Sequence, residues 1–327
     1  MRRREFIGLV GGAVVAWPIA GRAQQPSMPV IGFLSATSAE VYADRLRAFA
    51  QGLNEEGYIE GKNVALEYRW AGDHEEQLPV LAAELSHRQV TAIAAGGTQS
   101  AQAAKAATAS IPIVFETASD PVALGLVASL NRPGGNLTGV TNLNVEVGAK
   151  RLELVRELLP AATNVAVLVN PSAPIITEQV TRNMQTAASA LGMQLHVLQA
   201  STDNDLGTVF AGLGQLRADA LVIGPYQFFN SREKQLAALS LRYAVPTIFV
   251  YRRFAAAGGL LSYGANETET YRLVGIYTGK ILKGEKPGDL PIQRSTKVEL
   301  IINLKTAKAL GITVPLALSG RADELIE

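Results

Sequence analysis

Short apolar runs alternate along this chain with longer stretches whose apolar residues recur three and four apart. Val30-Ile31-Gly32-Phe33-Leu34 is the first short run. Leu46, Phe49 and Leu53 then follow at helical spacing up to a stop at Gly57. The same alternation predicts strands over 64–70, 90–95 and 113–115. Helices are predicted over 78–85, from about 98 through a small-residue stretch, and from Pro121 to about Leu130. Asn131-Arg132-Pro133-Gly134-Gly135-Asn136 reads as a tight turn, after which the pattern restarts. Helices are then expected over 152–159, 175–191, 206–216 and 232–243, and strands over 165–169, 194–198, 220–223, 247–250 and 259–262. A helix over 267–282, a polar turn, a strand over 298–302 and a helix over 304–310 complete the described pattern.

Strands alternating with helices of this length imply βαβ units, parallel pairing and right-handed crossovers. Two successive sets, each of roughly 110–120 residues, fit two open α/β domains. No repeat in the residues themselves relates the two sets.

The first residues belong to a different pattern. MRRREFIGLVGGAVVAWPIAGRAQQ has a basic start, an apolar stretch over 6–20 and small residues around Arg22. It predicts a signal peptide over 1–23, cut after about Ala23, and a soluble periplasmic product without a membrane anchor. Arg3-Arg4-Glu5-Phe6-Ile7 matches the twin-arginine export motif, although Gly8 replaces the usual lysine. The 327-residue chain has a net charge of +1, and removing the signal leaves a small net negative charge. That balance argues against a nucleic-acid partner. With no cysteine, disulfides, thiolate nucleophiles and zinc–cysteine sites are excluded.

In open parallel sheets, ligands sit beyond the carboxyl ends of the strands. Candidate contacts are therefore Ser35, Thr37, Thr98, Gln99, Ser119, Asp120, Asn142, Asn170, Ser172, Tyr226, Tyr251 and Tyr263. The stretch Gly96-Gly97-Thr98-Gln99 ends a strand and opens a helix, so its free amides and dipole suit a carboxylate. Thr98 either contacts that group or caps its own helix. Asp120, followed by Pro121, is both an N-cap pattern and an acid placed for an α-ammonium. It is read as the acidic residue at a strand end of the first domain. Ser35 and Thr37 have the same two readings, cap or donor to a carboxylate. Tyr226 with Phe228 and Phe229 forms either a stacking wall for a flat solute or a set of loop anchors, and Tyr263 also suits a hinge.

Enzymatic chemistry lacks an inventory. The three histidines stand at no strand end beside a serine or aspartate, and no Gly-x-Ser-x-Gly elbow, phosphate loop or His-Glu-x-x-His occurs. No metal or cofactor is expected.

The stretches IGFLSATS, GGTQSAQAAKAAT, PIVFETASDPVALGLVASLNRPGGNLTGVT, VAVLVNPSAP, GGLLSYGAN and LPIQRSTKVELIINLKTAKALGITVP carry a resemblance over nearly the whole chain after the signal. The chain resembles the periplasmic substrate-binding proteins of ABC transporters, type I fold, in the tryptophan/tyrosine-binding branch. The resemblance implies two doubly wound parallel-sheet domains joined by a three-strand hinge around a cleft, with crossings near Asn142, Asn266 and Leu290. The first domain is then 29–142 plus 266–288 and the second 143–265 plus 289–320. It also implies a monomer that hands a small solute, an amino acid of aromatic or branched kind, to a membrane permease and its ATPase. A sensor docking on a receptor, and a carboxylate or aromatic compound as solute, are the alternatives on the same fold.

Overall fold

A computed structural model describes residues 28–142 and 144–327. The signal peptide expected over 1–23 lies outside the described residues. The first half-chain runs β1 (Val30–Ser35), α1 (Ala39–Glu55), β2 (Ala65–Trp70), α2 (Leu78–His87), β3 (Ala92–Gly96), α3 (Thr98–Ala107), β4 (Ile113–Thr117) and β5 (Leu137–Thr141). The second begins with α4 (Gly148–Leu158), β6 (Asn164–Val169), α5 (Pro174–Ala190), β7 (Gln194–Gln199) and α6 (Asp203–Leu213). It continues through β8 (Ala220–Ile223), α7 (Gln227–Asn230), α8 (Glu233–Arg242), β9 (Thr247–Phe249), α9 (Arg252–Ala256) and β10 (Leu261–Ala265). The chain then passes through α10 (Glu267–Leu282), β11 (Gln293–Arg294), β12 (Val298–Asn303), α11 (Leu304–Ala309), α12 (Leu316–Ser319) and β13 (Glu324–Ile326).

These strands form two sheets, ordered β11-β5-β4-β3-β1-β2 and β13-β12-β10-β9-β8-β6-β7. Pairing is parallel except where β10 meets β12. Parallel sheets are covered on both faces, so their central strands are near-continuously apolar rather than alternating. Accordingly β3, β4 and β8 are buried along their whole length. Helices lie on both faces of each sheet, giving two cores in the first body and one large core in the second.

The chain leaves the first sheet after β5, returns at Asn266 to lay α10 against α1, and leaves again after β11. Gln293 and Arg294 pair with Val140 and Thr141 of β5, so 289–294 run with the first sheet and the last crossing falls near Ser295 rather than Leu290. β13 carries the second sheet past residue 320. The return is a close one. Any Cβ at Gly275 of α10 would overlap the Phe49 carbonyl of α1, and any at Gly52 would overlap the Arg272 carbonyl. Two glycines thus let backbones touch where the first domain takes back its late helix.

The helix predicted from Pro121 to about Leu130 is absent. Leu124 N–H reaches the Asp120 carbonyl (3.0 Å) and Leu126 N–H reaches that of Pro121 (2.9 Å), but Gly125 turns to φ +67°. A left-handed residue closes a helical turn and stops its propagation. Short helices α7 and α9, carried on the loops after β8 and β9, were not marked by any run of helical spacing.

Candidate functional site

The carboxyl ends of both sheets face each other, and the loops there line a cleft of about 570 Å³. Thr37, Gln99 and the 73–79 segment come from the first domain, and Asn170, Ser172, Ser201, Gln227 and Phe228 from the second. A side space of about 140 Å³ adjoins Thr98, Gln99 and Ser172. Deeper in, a polar space of about 20 Å³ lies between Thr98, Gln99 and Glu116 on one side and Tyr226, Asn230 and Tyr251 on the other.

The α3 terminus stands at the junction of all three spaces. Gly97 caps it at φ +104°, a conformation strained for any other residue. The N-cap is thus Gly97 and not Thr98. Thr98 is the first helical residue, and its hydroxyl pairs with that of Thr117 at 2.8 Å. The helix's own bonding begins with Ala101 N–H to the Gly97 carbonyl (3.0 Å). The amides of Thr98, Gln99 and Ser100 therefore have no intrahelical acceptor, and the helix dipole adds positive potential there.

Glu116, near the end of β4, is the acid that faces this junction. It is 7% exposed, accepts a bond from Asn142 Nδ2 (2.7 Å) and one from the Tyr271 hydroxyl (3.4 Å). Burial pushes its carboxyl up to about 7, with Arg45 pulling it down and Glu267 pushing it up. Opposite, Asn230 is 6% exposed and its Oδ1 has no partner among the described residues. A buried carboxylate and an orphaned amide oxygen facing one small space ask for a donor.

The other predicted residues divide clearly. Thr37 lines the main cleft at 1% exposure with an unpartnered hydroxyl. Ser35 is buried beneath it, its Oγ accepting from Thr37 N–H (3.3 Å). Asn170 lines the cleft, and its Oδ1 holds Ser172 N–H at 2.9 Å. Tyr226 is buried with its hydroxyl on Thr177 (3.0 Å), and burial raises that hydroxyl to about 12. Tyr251 receives Asn144 Nδ2 (3.2 Å), and burial raises its hydroxyl well above the ordinary range. Ser119 donates across the cleft to Gln179. Phe228 lines the cleft, but Arg232 covers its ring at 4.0 Å, while Phe229 is in the core.

Asp120, Asn142 and Tyr263 line none of these three spaces. Asp120 Oδ1 accepts from Val122 N–H (2.9 Å), which is turn capping. Asn142 orients Glu116, and Tyr263 lends its carbonyl to the buried Arg151 (2.8 Å). Asp120→Ala is expected to cost about 1 kcal/mol of stability and leave solute affinity unchanged, checked by thermal unfolding beside calorimetry. A loss of affinity without loss of stability would return Asp120 to the site.

Sequence reading missed Glu116, Asn230, Gln227 and the acids at 73–76. The signal for Glu116 was an acid inside the otherwise apolar run Ile113-Val114-Phe115-Glu116-Thr117.

Bonds across the cleft hold the two bodies together. Gln227 Nε2 donates to the Tyr42 hydroxyl (2.6 Å), Arg253 Nη1 to the Val41 carbonyl (3.1 Å), and Arg232 pairs with Asp73 (3.2 Å). These link elements of opposite domains.

The sequence model of the ABC transporter substrate binding protein family matches residues 29–326. The chain belongs to this family. Its members are solute-binding proteins, not enzymes. This substrate-binding protein is 28% identical over 266 residues to a tyrosine-binding protein of Clostridioides difficile (strain R20291), covering 81% of this chain and 75% of that one. Among solved structures it is similar to a domain from Streptococcus pneumonia in complex with L-Trp, at TM-score 0.85 and 22% identity, over 92% of this chain and 100% of that one. It is also similar to the ligand-free, open structure of a substrate-binding protein with adhesive properties from Clostridium difficile. There the TM-score is 0.67 and the identity 25%, over 91% of this chain and 99% of that one. The type I periplasmic binding fold follows from these likenesses together with the two sheets.

Proposed function

We propose that this substrate-binding protein works outside the cytoplasm as the capture subunit of an ABC importer, closing on an α-amino acid and handing it to a membrane permease with its ATPase. The observation that carries the reading is the pairing of unlike groups at one junction. The free amides of α3 suit a carboxylate, and Glu116 with Asn230 Oδ1 suits an ammonium. An α-amino acid presents those two groups on one carbon. The tyrosine-binding relative and the neighbour holding L-Trp support the class of solute.

Closure follows from the same geometry. A solute touching both domains binds the narrowed form better than the open one, and so shifts the population toward it. The bonds from Gln227, Arg253 and Arg232 support reading the present arrangement as the narrowed one. The higher likeness to the L-Trp complex than to the open, ligand-free relative points the same way.

Titration calorimetry against the amino acids and small carboxylates tests this. Saturable binding of at least one α-amino acid, lost when its carboxylate is amidated, is expected. No heat from any of them would remove the importer reading.

A further inference from the structure

The main cleft is lined by one acid that no cationic side chain among the described residues pairs with. Asp73, Glu75 and Glu76 line it, and no lysine, arginine or histidine does. Two of the three acids are accounted for. Asp73 pairs with Arg232 at 3.2 Å, and the exposed Glu76 lies 3.1 Å from His74. Glu75 is half-buried, and no cationic side chain among the described residues comes within ion-pair distance of it. Its one side-chain partner is the Gln99 amide, at a long 3.4 Å. Burial first, then Asp73 and Glu76, push its carboxyl up, which is the signature of a charge held where it is unwelcome.

The placement is built rather than accidental. Gly72 and Asp73 both turn to positive φ, +60° and +70°, and their amides donate to the carbonyls of Thr37 (3.3 Å) and Ala36 (2.7 Å). The acidic segment is thereby tied to the loop that carries Thr37. That threonine lines the same space, 1% exposed, with a hydroxyl that no described residue satisfies. An unsatisfied buried hydroxyl beside an unpaired acid marks a place where a polar ligand group completes the bonding.

Resting on the importer reading, we propose that Glu75 receives a positive charge on the solute's side chain, so that the cleft is shaped for a basic amino acid. With the carboxylate on the α3 amides and the α-ammonium at Glu116, a side chain leaves the junction at Gln99, which borders both spaces, and enters the 570 Å³ cleft. The walls it meets carry amides, hydroxyls and carboxylates between the apolar Ala36, Leu78, Pro79 and Ala103. The one aromatic ring there, Phe228, already has one face taken by the Arg232 guanidinium at 4.0 Å.

Calorimetry with L-arginine, L-lysine, L-tryptophan and L-tyrosine on the wild-type protein and on Glu75→Gln decides the matter. The basic pair is expected to bind at least about tenfold more tightly than the aromatic pair. Glu75→Gln should weaken L-arginine by about tenfold to a hundredfold, as for loss of a charge-assisted bond, and leave aromatic affinity within about threefold. The ligand-free variant should melt no lower than wild type, because like-charge repulsion is relieved. Tighter binding of the aromatic pair, or an unchanged L-arginine affinity in Glu75→Gln, overturns the inference and leaves the importer reading standing. If the variant does not fold, the wild-type ranking alone decides. Silence of all four solutes and of every other amino acid overturns both.

Discussion

Glu116→Gln is expected to weaken capture of an α-amino acid by about tenfold to a hundredfold at pH 8 while leaving the fold intact. Gln is the same size and keeps an oxygen for the Asn142 amide, so what is lost is the charge offered to the ammonium. The pH dependence sharpens this. Glu116 titrates at about 7, raised mainly by burial, so below that pH it is neutral and a poor partner for a cation. Affinity should therefore fall as pH drops, by roughly tenfold between pH 8 and pH 5.5, and the variant should lose this slope. The groups facing Glu116 are Tyr42 and Arg45 from α1, Tyr271 and Glu267 from α10, and Tyr251 from the second domain. The tyrosines are raised and Arg45 is raised well above its ordinary value, so none of these four titrates in that window. Stability runs the other way. A carboxyl raised from 4.5 to about 7 makes the folded chain bind more protons than the unfolded one between those values. Its contribution is fully present below 4.5 and lost as pH rises through 7. Unfolding of the ligand-free protein as a function of pH, wild type against Glu116→Gln, checks the sign.

The largest stability effect is expected at Gly275. Alanine there would drive its Cβ into the Phe49 carbonyl, which is backbone and cannot rotate away. The helices α1 and α10 must then separate, at a cost of about 3 kcal/mol or more, measured by denaturant unfolding. Gly207 in α6 is the contrast, since its ordinary φ and open surroundings leave room for a methyl group. Gly207→Ala is expected to raise stability by about 0.5–1 kcal/mol through the lower entropy of the unfolded chain. Equal effects at the two sites would contradict the close contact of α1 with α10.

The two sheets were legible because their central strands are short, near-continuously apolar and bounded by turn residues, as in Val165–Val169 and Ala220–Ile223. The 267–282 helix was readable from its spacing and the polar turn after it, and the fold adds the Asn266 cap, whose Oδ1 holds Glu269 N–H at 2.8 Å. Residues 121–130 misled because apolar spacing there suits a helix while Gly125 adopts a conformation that ends one. At the site, Thr37, Thr98, Gln99, Asn170, Ser172, Tyr226 and Tyr251 are brought to the cleft, as strand-end position implies. Glu116 was passed over for Asp120 because its partners, Asn142 and Tyr271, lie 26 and 155 residues away. Only the fold shows that the strand acid is turned toward the junction while the Asp-Pro acid serves its own turn. Glu75 was hidden similarly, since the loop after β2 gains meaning only once it is tied beside Thr37.

The most direct test of the central claim is a crystal structure of the protein with its tightest-binding amino acid. The account predicts the carboxylate within hydrogen-bond distance of the Thr98 and Gln99 amides, the ammonium on Glu116, and the Gln227–Tyr42 bond made across a narrowed cleft. A solute bound to one domain alone, or seated away from the α3 terminus, would contradict it.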